Sequence, residues 1–394
     1  MAIKTAAEKK APAKKTPAKK ATVKAAAVKK PTAKKAVSAP KKLRVAIIGC
    51  GGISHAHMAA YQQIPDVELV GFCDIKPERL VEYQTKYGVK PELCFEKWGD
   101  LFKKIKPEAV DICTPNGIHC PATLAAFAAG CHVMVEKPMA MSPAECETMI
   151  AAAKKAGKLL AVGFQHRYNS KTDYLVKARD EGKFGKIMFV KCQALRRRGI
   201  PNWGVFGRKD LQGGGPMIDI GVHVVEMAHF FMGSPKPVAA TGNCWTYLGD
   251  KPSEVMSMWP NWDYKTYTVE DLAIGHIRFD NGMIMQIESS FAAHIDKDEW
   301  KFTAMGEKGG CDWDPLQIFT DDAGAMVHIK PDYIAPDWNK DWTYLFARKL
   351  QNWVDGILKG TPLRSSGEEG LAIQKILDGI YRSAAAGGKE VSIK

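Results

Sequence analysis

No Cys-x-x-Cys pair occurs in this 394-residue chain, although it holds ten cysteines, spaced singly at 50, 73, 94, 113, 120, 131, 146, 192, 244 and 311. That spacing speaks against a disulfide framework and fits reduced thiols in a cytoplasmic setting. Cys73 and Cys113 stand inside apolar runs, where a thiol behaves as a small hydrophobe. No His, Cys and carboxylate set has metal-ligand spacing, so no metal is expected. His55 and His57 face opposite ways from a helix start, and His276, His294 and His328 fall in apparent strands. Gly-x-Ser-x-Gly is missing, which leaves a serine hydrolase unsupported. No apolar signal-peptide core opens the chain. The uncharged stretch 112–135 is long enough to imitate a membrane span, but Pro115, Asn116, His119 and Pro121 break it into strand, loop, helix and strand. No membrane partner is expected.

Positive charge is abundant in one place only. The formal net charge is +13, and segment 1–42, with its recurring lysines and a single acid, Glu8, accounts for it; the remainder is close to neutral. The lysines recur at five-residue steps, which turn a helix about 140° past a full turn and so leave no apolar face. With Pro12, Pro17, Pro31 and Pro40 and no aromatic residue, the segment is expected to be a disordered tail. It is similar to the Lys/Ala/Pro tails of linker histones. It is either a non-specific contact for nucleic acid or another polyanion, or a solvated leader. The body, 46% hydrophobic and 25% charged over the whole chain, is ordinary for a soluble globular protein of two domains.

A short apolar strand over 43–48 runs straight into Gly49-Cys50-Gly51-Gly52-Ile53-Ser54. A helix over 53–64 follows, then a second strand over 67–73 with Asp74 at its end. Strand, glycine turn, helix, strand and acid together are the context that gives a dinucleotide fingerprint its meaning. Gly49 permits the tight turn, Gly51 and Gly52 let backbone approach a pyrophosphate, and free N–H groups near Ile53 meet the anion. Asp74 is placed to accept from adenosine ribose hydroxyls, favouring NAD over NADP, although Lys76 and Arg79 blur that preference. Ser54 replaces the usual third Gly or Ala and is expected to loosen the helix–strand contact slightly.

Further strands over 109–114, 132–135 and 159–163 alternate with helices over 119–129 and 143–156, which implies a doubly wound parallel sheet. Thr114, Asn116, His119, Glu136 and Lys137 then fall at or just past strand carboxyl ends, where such sheets hold ligands. Past residue 163 the strands lengthen and alternate, suggesting a mostly antiparallel sheet. Within that region lies Gly213-Gly214-Gly215-Pro216-Met217-Ile218-Asp219-Ile220-Gly221-Val222-His223. Asp219 and His223, four apart, would share one helix face, with Pro216 in the first turn. An ammonium, a carboxylate and an imidazole beside a nicotinamide are what alcohol oxidation needs. His166, Arg198 and Trp203 are candidate substrate contacts. The run Arg196, Arg197, Arg198 either lines the pocket or forms a solvated edge, and Met256, Met258, Trp259, Trp262 and Tyr264 form either a lid or an apolar interface.

These motifs, from Gly49–Ser54 through Thr114-Pro115-Asn116 with His119 and Glu136-Lys137-Pro138 to Asp219-x-Gly-x-His223, resemble the Gfo/Idh/MocA oxidoreductase family over everything but the tail. The resemblance implies an α/β fold with a Rossmann domain over 43–164. A substrate-binding and oligomerisation α/β domain with a large open sheet follows over 165–344, and helices over 345–394 return to the first domain. It implies NAD as cofactor, with NADP as the alternative, and a polyhydroxylated small substrate: a sugar, glycoside or cyclitol. Lys137 would contact nicotinamide ribose and substrate, Asp219 would orient substrate, and His223 would act as acid/base. A homo-oligomer, dimer or tetramer, is expected. Two other activities in such proteins stay open: glycoside hydrolysis through transient oxidation, and a non-catalytic nucleotide sensor tethered to nucleic acid by the tail.

Overall fold

The computed structural model describes residues 41–257, 259–334 and 342–394. The expectations placed on residues 1–40 and on Met258 lie outside the described residues. Six strands form the first sheet: β1 (Leu43–Ile48), β2 (Val67–Cys73), β3 (Cys94–Phe95), β4 (Ala109–Ile112), β5 (His132–Val135) and β6 (Leu160–Val162). Each pairs in parallel in the order β3-β2-β1-β4-β5-β6. Helices α1 (Gly52–Tyr61), α2 (Pro77–Tyr87), α3 (Trp98–Ile105), α4 (Asn116–Ala128) and α5 (Pro143–Ala156) alternate with them. Every residue of β4 is buried and those of β1 nearly so, as expected for parallel strands covered on both faces. The order reverses between β1 and β4, and that switch point is where an open α/β sheet receives its ligand.

Helix α6 (Ser170–Asp180) leads into a second sheet of nine strands: β7 (Ile187–Leu195), β8 (Pro237–Trp245), β9 (Leu272–Phe279), β10 (Ile284–Ser290), β11 (Glu299–Gly306), β12 (Gly309–Asp312), β13 (Gln317–Asp322), β14 (Ala325–Ile329) and β15 (Val391–Ser392). All pairs are antiparallel except β7 with β10. Along β9 buried residues alternate with more exposed ones, so one face carries the core. That face is covered by a π-helical turn (Met217–Gly221) and α8 (Val222–Phe231), while the short helix α7 (Lys209–Gln212) packs on α4.

The chain then doubles back. Helix α9 (Trp342–Lys359) sets Phe346, Leu350, Trp353 and Val354 against Val45, Ile47 and Met58 of the first sheet's layer. Helix α10 (Gly367–Ala385) packs on α5 and β8. Each buried apolar side chain contributes about 1.5–3 kcal/mol, so α9 is an integral layer of the first sheet. The stretch 112–135 resolves into the end of β4, α4 and β5, and among the described residues no helix is long and apolar enough to cross a membrane.

Candidate active site

The glycine turn is shaped by one hard contact. Gly49 has φ +94°, and a Cβ there would lie 2.6 Å from the backbone carbonyl carbon and oxygen of Cys113, so only glycine lets β1 turn this close to β4. Gly51 caps α1 without any side-chain hydrogen bond, leaving the first N–H groups of the helix for an anion. A Cβ at Gly52 would meet nothing within 4 Å, and Ile53 is partly exposed beside it. The Asp74 carboxylate accepts from the Cys50 and Lys76 amides at 2.8 and 2.9 Å and sits 3.4 Å from Arg79 Nη1, which keeps acceptor capacity to spare. The buried Oγ1 of Thr114 has no protein partner. An uncapped helix start, an open glycine surface, a carboxylate at the second strand end and an orphan hydroxyl at the fourth together fit a dinucleotide.

Ser54 departs from the loosening its size suggests. Its Oγ donates to the Gly51 carbonyl at 2.6 Å and accepts from Tyr83. A hydrogen bond takes the place of the missing close contact, and the side chain is fully buried.

Three neighbours organise the loops rather than present free polar atoms. Both ring nitrogens of His119 face backbone carbonyls, of Pro138 at 2.8 Å and Thr114 at 2.9 Å, so this histidine clamps the ends of β4 and β5 together. The Asn116 amide donates to the Gln212 carbonyl at 3.0 Å, tying the first sheet to the segment before the triglycine. Glu136 is buried against His57 and Lys349 and accepts the Lys137 amide.

Lys137 reaches across from that strand end. Its Nζ donates to the Asp219 carbonyl at 2.8 Å and to Oδ1 at 3.0 Å. The π turn makes this double contact available, because the wider i→i+5 winding releases carbonyls from the regular ladder. Asp219 and His223 therefore do not share one regular α-helix: Asp219 lies in the π turn and His223 in the first turn of α8. His223 is buried, its Nδ1 has no partner, and its ring packs edge-on to His166 at 5.0 Å and tilted on Trp300 at 5.6 Å. Burial, then the Lys137 ammonium, then His166 hold His223 well below the usual imidazole range. A neutral imidazole with an unpartnered Nδ1 thus stands within electrostatic reach of the Lys137 ammonium and its carboxylate, and such a set can take the proton of an alcohol.

The substrate candidates divide. Burial and the nearby Lys137 and Lys349 charges pull His166, which flanks His223, down to about 3. Arg198 turns away, donating to the Arg197 carbonyl at 2.9 Å and lying 2.8 Å from His294, which sits in an exposed bend outside the strands. Arg196 faces the site instead: its guanidinium lies 4.9 Å over Trp259 and 5.6 Å over Phe291, and burial lowers its pKa against the pull of Asp219 and Asp298. Trp203 is half exposed and meets Trp259 edge-on at 4.6 Å. Trp262 is pinned by its indole N–H to the Gly249 carbonyl, and Tyr264 opens a short 3₁₀ turn.

Sequence reasoning missed Glu270. Its buried carboxylate accepts the Gly215 and Met217 amides at 2.9 and 3.2 Å and the Tyr381 hydroxyl at 2.8 Å, capping the start of the π turn. Nothing in the local sequence announces a cap supplied from more than fifty residues away.

Histidine burial also has a consequence for stability. His119, His166, His223 and His229 are buried and His132 half-buried, and desolvation lowers all five, His132 and His229 to about 4. In the unfolded chain they protonate near about 6.5, so the unfolded state takes up more protons as pH falls below that value. Their contribution is full above pH 6.5 and drains away toward pH 4. Burial raises Glu226 to about 7 and also raises Glu270; His57 is raised although burial opposes it. These work in the opposite sense but are fewer. The urea midpoint is expected to fall between pH 7.5 and 5, and a midpoint that stays level or climbs contradicts this assignment.

An NAD-type turn on one sheet, with a lysine from a strand end of that sheet and an aspartate and a histidine from the helical layer on the other, defines a two-domain nicotinamide-dependent oxidoreductase. The chain belongs to the Gfo/Idh/MocA family: residues 43–164 match the oxidoreductase-family NAD-binding Rossmann fold, and 177–393 match the family's C-terminal alpha/beta domain. It is 35% identical to D-glucoside 3-dehydrogenase of Escherichia coli (strain K12), over 90% of this chain and 98% of that one. Identity to the myo-inositol 2-dehydrogenase of Thermotoga maritima is 25%, over 83% and 92%. Among solved structures, the aldose-aldose oxidoreductase of Caulobacter crescentus, complexed with glycerol, aligns with TM-score 0.74 and 26% identity, covering 89% of this chain and 100% of that one. The cofactor is NAD, and the α/β architecture of a parallel sheet plus a mostly antiparallel one is the family's.

Proposed function

We propose that this protein is an NAD-dependent dehydrogenase that oxidises a ring hydroxyl of a glycoside or related polyhydroxylated sugar to a ketone. The observation that carries the reading is the buried, unpartnered Nδ1 of His223 beside the Lys137–Asp219 ion pair. The near-complete overlap with a D-glucoside 3-dehydrogenase supports the substrate class. When bound, NAD supplies the acceptor for the hydride that leaves the carbinol carbon. Lys137 donates to the substrate hydroxyl oxygen and steadies the negative charge that grows on it. His223 takes the hydroxyl proton, and Asp219 aligns the substrate while keeping Lys137 charged and aimed. The C–H and O–H bonds break, C=O forms, and the two electrons depart with the hydride.

Gly49, Gly51, Gly52, Ile53, Asp74 and Thr114 hold the dinucleotide; Asn116, His119 and Glu136 fix the loops around it. Arg196, rather than Arg198, works with Trp203, Trp259 and His166 on the sugar. In this reading residues 165–344 carry substrate and a homo-oligomer contact across the outer sheet face; of the segment expected to return to the first domain, α9 completes that domain, whereas α10 also packs on β8 and β15 joins the second sheet. The basic segment 1–42 adds a polyanion contact to a cytoplasmic enzyme. Full-length protein mixed with NAD and a panel of methyl glycosides, free sugars and cyclitols should raise absorbance at the reduced-nicotinamide band. No change across the panel with NAD or NADP would overturn the proposal, and sugar release without net NADH would favour hydrolysis instead.

Asp74→Ala tests the cofactor preference. Removing the carboxylate takes away a ribose acceptor and the repulsion of a 2′-phosphate, while Arg79 remains beside the site. NAD affinity is expected to fall about tenfold or more, and NADP affinity to hold or improve. Equal losses for both cofactors, read by fluorescence titration, contradict the assignment.

A further inference from the structure

Behind Lys137, away from the substrate side, lies a buried polar cluster that the proposed reaction does not use. His57 of α1 meets Asp111 Oδ2 at 2.6 Å and Glu136 Oε1 at 3.0 Å; Tyr61 donates to Asp111 at 2.9 Å; and Lys349 of α9 meets the same Glu136 oxygen at 2.5 Å. The side chains of His57 and Lys349 are wholly inaccessible. His57, Asp111 and Cys113 bring three metal-ligand atoms together, but the His57 nitrogens already face two carboxylates, and the Lys349 ammonium lies 3.1 Å from Nε2. At Nδ1, where those three atoms converge, Asp111 Oδ2 already lies 2.6 Å away and also accepts the Tyr61 hydroxyl, so the cluster is a closed set of hydrogen-bonded ion pairs.

Its two ends are informative. Lys349 comes from 213 residues further along the chain, and burying an ammonium costs several kcal/mol unless it is fully paired. Well-packed apolar residues would stabilise α9 at least as well, so stability alone does not account for a lysine here. Glu136 spends its other oxygen on the backbone amide of Lys137, at 3.1 Å. Its first oxygen occupies space left by Gly163, just past β6, where a Cβ would lie 2.6 Å from Glu136 Oε1. Only glycine leaves the carboxylate its place.

We infer that Lys349 is a positioning residue for Lys137: by clamping Glu136 it fixes the strand-end backbone from which Lys137 reaches Asp219. The inference rests on the reading of Lys137 given above. Helix α9 thereby couples the docking of the C-terminal segment to the alignment of the ammonium. The same buried charge contributes, after burial and Lys137, to holding His166 low, and more weakly to holding His223 low.

A kinetic cycle in the full-length protein tests it. Lys349→Met and Lys137→Met are made singly and together, and kcat, KM and urea midpoint are measured with NAD and methyl β-D-glucopyranoside. In the parent background Lys349→Met should lower kcat/KM about 10²-fold, mostly in kcat, as a misplaced group does. In the Lys137→Met background the further loss should be under about twofold, while the drop in urea midpoint is the same in both backgrounds. Equal kinetic losses in both backgrounds, or near-parental activity for Lys349→Met, overturn the inference. Should Lys349→Met fail to fold, Lys349→Gln, which keeps a donor for Glu136 without the charge, takes its place; a loss intermediate between Met and parent is expected, and parental activity counts against the inference. Undiminished activity in Lys137→Met alone would instead overturn the reading of Lys137.

Discussion

Lys137→Met is expected to lower kcat by about 10²–10⁴-fold, the range lost when a positioned proton-transfer partner is removed, while fold and NAD affinity stay near those of the parent. The stability part follows from exposure. The Lys137 and Asp219 side chains are 14% and 15% accessible, so the carboxylate left behind can still be hydrated, unlike the sealed Glu136. The kinetic part follows from geometry: among the described residues, Lys137 brings an ammonium from the first sheet to the carbonyl and carboxylate of Asp219. A second signature accompanies the rate loss. The Lys137 charge, after burial, helps to hold His223 low, so removing it should let the imidazole rise, and the acid limb of kcat/KM should move to higher pH. Stopped-flow turnover across pH 5 to 9 reads both effects. A kcat within tenfold of the parent, or an acid limb that does not move, removes Lys137 from the chemistry.

The first sheet was legible because its signals are local. A nearly fully buried strand, a glycine turn and an acid twenty residues past Ser54 follow one another in sequence, and β2, β5 and α5 fall where the pattern puts them. Lys137, Asp219 and His223 were legible for a similar reason, since a strand end and a glycine-rich helix start can be read from neighbours. The residues that hold the backbone around them were not. Glu270, Tyr381 and Lys349 arrive from distant elements, and no periodicity reports which buried acid or lysine meets which amide. The π turn left no trace either, because it differs from an α-helix only in hydrogen-bond register and has no side-chain signature of its own. Arg196 and Arg198 show the same limit at two residues' distance. Both lie just past the end of β7, where strand alternation no longer sorts side chains, and only the carbonyls and rings around each one separate the guanidinium that feels Asp219 from the one turned toward His294.

Gly215→Ala should be the most damaging small substitution in the site. A Cβ there would lie 2.1 Å from the carbonyl oxygen of Glu270, 3.0 Å from Val269 Cγ2 and 3.1 Å from the Glu270 carboxyl carbon. The nearest obstacle is backbone, so no side-chain rotation relieves it and the two segments must separate. Separation strips the Gly215 and Met217 amides from the Glu270 carboxylate, leaving buried donors and a buried acid unpaired at about 1–3 kcal/mol for each group. Overpacking adds about 1–3 kcal/mol more, so a total loss of roughly 3 kcal/mol or above is expected. The shift also reaches the chemistry, because the Gly215 carbonyl accepts the Asp219 amide at 3.0 Å. Moving one end of that turn moves the carboxylate that holds Lys137, and kcat/KM should fall about 10²-fold even in the folded fraction. Urea unfolding combined with active-site titration separates the two losses. If Gly215→Ala keeps the parent's midpoint and turnover, the Glu270 clamp does not set the geometry of the site.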